Sequence, residues 1–223
     1  MSTTYLPFGM KPAYHPSGLD RATQFVGTNS FQAATDNTYN APYGLTTGQA
    51  FYQYQPVGIN TSGQLIPAPT LAATGKMFGV FDGVEFTDSQ GRRSVAKWAS
   101  KLTLDASTQI IFWLFTDPQL VYEAQCNGSV ATTAIGKAYD FDATNNPTVG
   151  QSIGNGGAGF SQTALAASPV ATGAQGQVKV VGLGRETAWP TGQTNAWADT
   201  YTIVQVQIAN SQLVAPSVSV AYS

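Results

Sequence analysis

A chain of 223 residues buries enough surface to fold without staples, and its single cysteine, Cys126, excludes an intrachain disulfide. Charged residues make up only 10% of it, against about 25% in an ordinary soluble domain. Its surface must therefore be built from Thr, Ser, Asn, Gln and Gly, a composition common in chains that assemble into large permanent structures. The formal net charge of -2 provides no basic field, so a nucleic-acid partner has no electrostatic support, and no apolar run reaches the ~18 residues of a membrane span.

Residues 1–48 read as an extended N-terminal arm. The start MSTTYLPFGMKP has neither a basic n-region nor an apolar h-region, which argues against a secretory signal and for synthesis in a reducing cytoplasm. Pro7, Pro12, Pro16 and Pro42, with Gly9, Gly18 and Gly27, break any regular period. Tyr5, Phe8, Tyr14, Phe25, Phe31, Tyr39 and Tyr43 are more aromatics than a disordered tail carries. They are expected to order the arm by lying on its own barrel or on a neighbouring subunit.

Residues 49–223 read as a β domain. Ala50 to Val57 alternates and is expected as its first strand, with Gln64 to Ile66 leading on past a turn. The densest apolar material lies between Lys76 and Tyr122. Met77–Phe81 and Val84–Phe86 read as one strand, bulged at Asp82-Gly83. Asp88 to Gly91 is a turn by its chemistry, and Arg92-Arg93 a solvated hairpin tip. Ser94 to Trp98 alternates. Ile110 to Phe115 is apolar without a break, as in a strand buried on both faces, and Asp117-Pro118 closes it. Leu120–Gln125 is a further strand, and Asn127-Gly128 predicts a hairpin to a return strand between Val130 and Tyr139. Residues 143–176 form a Gly/Ala-rich insert with one short helical candidate, Ser161 to Ala167, capped by Ser161. Val178–Leu183 and Tyr201–Ile208 complete the set. The class is all-β, a β-barrel or β-tulip-like or sandwich domain.

Motifs that suggest catalysis fail on context. Gly150, Ser152 and Gly154 match G-x-S-x-G, but no buried strand precedes them, and the single histidine, His15, comes before the serine. Gly154, Gly156 and Gly159 match a dinucleotide fingerprint without a βαβ unit around it. Asp140, Asp142, Thr144 and Asn146 begin like a calcium loop, yet Asn145 and Gln151 stand where it needs Gly and Glu. Only a weak ion site at Asp140 and Asp142 stays open. Asp82, Glu85, Glu123, Asp140, Asp142 and Asp199 offer carboxylates, but no spacing selects a facing pair. His15 lacks partners for a metal and reads as a hydrogen-bonded side chain of an ordered arm. Cys126 reads as a small side chain at a strand end. Trp98 and Trp113 are expected in the core, and Trp189 and Trp197 as an exposed pair able to stack on sugars. No catalytic residue, metal or cofactor is expected.

Four segments carry a family likeness: PFGMKPAYHPSGLDRA, FGVFDGVEFTDSQGRR, FTDPQLVYEAQCNGS, and VVGLGRE with NAWADTYTIVQVQI. In this order, spread over nearly the whole chain, they resemble capsid decoration (cement) proteins of tailed bacteriophages. The resemblance implies a non-enzymatic structural virion protein of β-barrel or β-tulip type. It would sit on the capsid exterior, made in the host cytoplasm, with the major capsid protein and its own copies as partners. A homo-oligomer is expected, a trimer ahead of a dimer. Two alternatives from other classes remain: a carbohydrate-binding β module on a virion surface, using Trp189 and Trp197, and a glycosidase or esterase on a β scaffold.

Overall fold

A computed structural model describes residues 4–17, 24–27, 50–59, 65–67, 76–100, 103–104, 107–142, 161–185, 187–188 and 193–213. Fifteen strands lie in them, in chain order: β1 Lys11–Tyr14, β2 Gln24–Gly27, β3 Ala50–Tyr52, β4 Gln55–Ile59, β5 Leu65–Pro67, β6 Gly79–Thr87, β7 Arg93–Ala96, β8 Trp98–Ser100, β9 Thr108–Phe115, β10 Val121–Gln125, β11 Ala138–Tyr139, β12 Val178–Leu183, β13 Thr187–Ala188, β14 Gln193–Thr194 and β15 Ile203–Ile208. One sheet has the order β1-β10-β15-β12-β11 and another β2-β9-β6-β4-β5, with β7 also on β6; β3-β8 and β13-β14 form two-stranded ribbons. The chain is all-β, its strand pairings are antiparallel, and the described sheets do not close into a barrel.

The β6–β9 ladder is the centre of the fold. An unbroken strand would place Phe81, Gly83 and Glu85 on one face. The register instead slips between Phe81 and Gly83: Phe81 lies opposite Leu114, Gly83 opposite Trp113 and Val84 opposite Phe112. The extra residue brings Phe81, Val84 and Phe86 to one buried face. It also marks a change of neighbour. Along the same edge of β6, Gly79–Phe81 pairs with β4 and Val84–Thr87 with β7. The sequence anticipated this bulge, and the turn after it: Asp88 Oδ1 accepts from the Gln90 and Arg92 N–H groups, and Gly91 has φ +78°.

Two cores meet at this ladder. Val80 and its partner Phe115 point into a first core, with Tyr122, Cys126, Val180, Val204 and Val206 of the five-stranded sheet. Phe81 and its partner Leu114 point into a second, with Phe51, Val57, Leu65 and Phe112. The two faces of β9 differ. Ile110, Phe112 and Leu114 are buried, whereas Ile111 and Trp113 are half-buried, and only Phe115 on their face reaches the first core. Expected burial on both faces thus holds at one end of the strand alone.

Four local expectations change. Ala50 to Val57 is two strands, because Tyr54 takes φ +64°. Its carbonyl accepts the Met10 N–H, and its own N–H donates to Phe81, so this residue joins the N-terminal stretch to β6. The Asn127-Gly128 hairpin does not form. Both edges of β10 are taken, by β1 and β15, and the chain turns instead into a 3-10 helix at Thr132–Ala134 and then β11, which pairs with β12. Residues 161–167 are not helical. Ser161 Oγ accepts the Thr163 N–H, and Leu165 makes bridges to Cys126 and Phe141, so the buried backbone is satisfied by other strands rather than by its own turns. Trp98 is 37% exposed rather than core, since β8 runs out along the β3 ribbon.

Cys126 follows β10 directly and is fully buried. Burial raises its thiol from the ordinary 9.0 to about 12, and burial first, then Asp142 and Tyr201, raise Tyr5 from 10.0 to about 12. In both groups the folded state holds its proton to higher pH than the unfolded chain. Their contribution is intact below the unfolded value and is lost as pH climbs towards the folded one. The urea midpoint should therefore fall above about pH 9, and a thiol reagent at neutral pH should label Cys126 only on unfolding. Labelling of the native protein at the rate of a free thiol would show that the first core opens locally.

Candidate interaction surface

The N-terminal stretch is seated on its own chain. Pro7 and Met10 are buried, and Phe8 is half-buried. The Leu6 N–H donates to Gln125 Oε1 at 2.8 Å, Gln125 Nε2 donates to the Thr4 carbonyl at 3.0 Å, and the Tyr5 ring lies 5.1 Å from that of Tyr201. Further on, β1 pairs with β10, and β2 with β9. The described parts of the arm are thus edge strands and their lead-in. Prolines spare the unpaired edge: Pro12 is tolerated because β1 has a neighbour on one side only.

Among the described residues, Tyr5 and Tyr14 of the arm have different neighbours. Tyr5 is packed as above, and Tyr14 is 42% exposed with the Arg185 guanidinium 5.8 Å over its ring. Phe25 lies opposite Trp113 in the β2–β9 register. Phe31, Tyr39 and Trp189 lie outside the described residues, as do the glycine motifs of 150–159. Trp197, one member of the expected exposed pair, is half-buried against the first core.

Each carboxylate considered for chemistry holds a structural bond. Asp82 Oδ1 accepts from Gln53 Nε2 at 3.0 Å and Lys97 Nζ at 2.9 Å, and Glu85 pairs with Arg93. Glu123 Oε1 accepts the Arg185 N–H at 2.6 Å, and Asp199 Oδ2 the Ala196 N–H at 2.9 Å. Asp140 Oδ1 accepts the Gln177 N–H at 3.0 Å, and Asp142 Oδ2 accepts from Asn127 Nδ2 at 2.8 Å. Burial raises the Asp140 carboxyl, and Thr144 and Asn146 lie outside the described residues. Among the described residues, no three His, Cys, Asp or Glu side chains are grouped to hold a metal, and no helix is long and apolar enough to cross a membrane.

What sequence reasoning missed is the outer side of the β6–β7–β8 region. Val95 is 72% exposed and Trp98 37%. The cations beside them are all tied back: Arg92 to Asp88 at 2.9 Å, Arg93 to Glu85, and Lys97 to Asp82 at 2.9 Å. The Arg92 backbone N–H, more than its guanidinium, holds the Asp88 carboxyl below the usual carboxylate range. Two successive strands, β7 and β8, thus each show solvent a large apolar side chain among charges that cancel locally. Alternation marked Val95 and Trp98 as strand residues. It carried no sign of which face a second sheet would leave bare.

No protein-family model, curated protein or solved structure matches the chain.

Proposed function

We propose that this chain is a non-enzymatic structural protein of the outer surface of a tailed-phage head. It binds the major capsid protein lattice and stabilises it, as a homo-oligomer with a trimer ahead of a dimer. The observation that carries the reading is the β6–β7–β8 face. A charge-poor protein exposes Val95 and Trp98 there while Arg92, Arg93 and Lys97 are neutralised within the same region. Such a surface suits a contact that is apolar, insensitive to salt and multiplied by symmetry. The likeness of four segments to decoration proteins supports the same class, and so does the structural employment of the candidate carboxylates. Glycan binding is supported less well, because Trp197 is drawn against the core.

Ligand that binds the assembled shell and not its dissociated subunits stabilises the shell by mass action. Added to undecorated, expanded heads, the protein should raise their disruption temperature, with a gain that saturates when the lattice sites fill. Binding should change little between low and physiological salt. Val95→Asp or Trp98→Ala should weaken it roughly tenfold or more, as for a buried anchor of an interface. Steep salt dependence, or unaltered binding by both variants, would remove this face from the contact. Absence of binding to heads together with measurable glycan affinity would replace the proposal with the carbohydrate reading.

A further inference from the structure

Where the N-terminal stretch meets the β9–β10 turn, three side chains form a relay. Ser17 Oγ lies 2.6 Å from His15 Nδ1, and His15 Nε2 lies 3.0 Å from Asp117 Oδ2. The backbone decides the tautomer. The Ser17 N–H, which can only donate, points at His15 Nδ1 at 3.2 Å, so in the neutral ring Nδ1 is the acceptor and Nε2 carries the hydrogen. The Nε2–H then donates to Asp117, and the Ser17 hydroxyl must be the donor to Nδ1. Asp117 is itself held, since its Oδ1 accepts the Gln119 N–H at 2.8 Å. The His15 side chain is only 8% exposed, while Ser17 is open to solvent.

A hydroxyl bonded to the lone pair of an imidazole whose other nitrogen is oriented by a carboxylate is the general arrangement of an activated nucleophile. We propose that Ser17 is a nucleophilic serine, with His15 as its base and Asp117 as the positioning residue, and that it takes an acyl group from activated esters. Ser17 Oγ attacks the carbonyl carbon while its proton passes to His15 Nδ1. The tetrahedral intermediate then collapses, the ester C–O bond breaks, and the leaving alkoxide or aryloxide takes that proton. Ser17 keeps the acyl group as an ester, so the step is a single modification of the protein and not a turnover. Two features set the substrate class. The Ser17 N–H shares the Nδ1 lone pair with the hydroxyl, and Ser17 is exposed. Donors with good leaving groups are therefore favoured over alkyl esters or amides. The ring is used in the sense opposite to the usual triad, with the serine on Nδ1. The proton transfer needs only the lone pair and the orienting partner.

The test uses the intact protein and p-nitrophenyl acetate, with peptide mass mapping of acetylated residues. Ser17 should gain the acetyl group at least about tenfold faster than the exposed Ser89 and Ser168, given the ~10²–10⁴-fold that general-base assistance contributes. His15→Gln should bring Ser17 down to the level of those two serines. Asp117→Asn should lower the rate at Ser17 and leave Ser89 and Ser168 unchanged, while thermal unfolding stays cooperative. Ser17→Ala, at an exposed position, keeps the fold and should abolish the adduct. Equal labelling of Ser17, Ser89 and Ser168 would overturn the proposal. So would persistence of the Ser17 adduct in His15→Gln, or an adduct on His15 itself.

Discussion

Phe112→Ala should destabilise the protein by about 3–5 kcal/mol, the usual sum of lost transfer energy and a residual cavity for a buried phenylalanine. Phe112 is fully buried in the second core, where it meets Phe51 edge-on at 5.3 Å and Phe81 at 6.2 Å, while Phe51 and Phe81 stack at 5.5 Å. The three rings come from β9, β3 and β6, so removing one loosens contacts between three strands at once. Each ring pair adds roughly 0.5–1.5 kcal/mol beyond area burial. For a chain of this size the loss corresponds to a Tm lower by roughly 6–20 °C. Urea unfolding should show a reduced midpoint at an unchanged slope. Trp113→Ala, one residue on and half-buried on the opposite face, should cost clearly less despite the larger side chain. An equal or larger cost at Trp113 would mean that the face read as half-open is covered.

Gly9→Ala should be the most damaging change in the N-terminal stretch, at roughly 2–4 kcal/mol. Gly9 has φ +76°, and a Cβ there would lie 2.3 Å from the Tyr54 carbonyl oxygen and 2.8 Å from Ser161 Cβ. Backbone strain and overpacking each contribute roughly 1–3 kcal/mol. The carbonyl in the way is the one that accepts the Met10 N–H, so relief by moving it costs that bond and draws Met10 out of the first core. Gly91 and Gly173 provide the control. Both have positive φ, but a Cβ on either would meet nothing within 4 Å, so alanine there should cost only the conformational part, about 1 kcal/mol. Thermal or urea unfolding of the three variants separates the two terms. A Gly9→Ala protein no less stable than Gly91→Ala would show that the stretch before β1 is not clamped to Tyr54. That outcome would also restore the view of residues 4–10 as a free arm.

Alternation, apolar runs and turn chemistry determined a good deal about this protein. They placed β6, its bulge at Asp82-Gly83, the Asp88–Gly91 turn, β9, β10, β12 and β15. They also identified His15 as a hydrogen-bonded side chain and Cys126 as a small side chain at a strand end. These are local properties, in which a glycine, an aspartate or a run of β-branched residues acts on the backbone within a few positions. Tertiary structure decided the rest, because a strand edge can be filled only once. Local chemistry favours a hairpin at Asn127-Gly128, but β15, some eighty residues further on, occupies the edge of β10 that the return strand needs. Residues 161–167 have the composition of a short helix, yet Leu165 is claimed by Gln125, Cys126 and Phe141. Phe25 and Trp113 share a register though 88 positions apart, and Ser17, His15 and Asp117 become one relay only because β1 lies beside β10. The exposure of Val95 and Trp98 has the same origin. Alternation states that two faces exist, and only the packing of one sheet against another determines which of them water keeps.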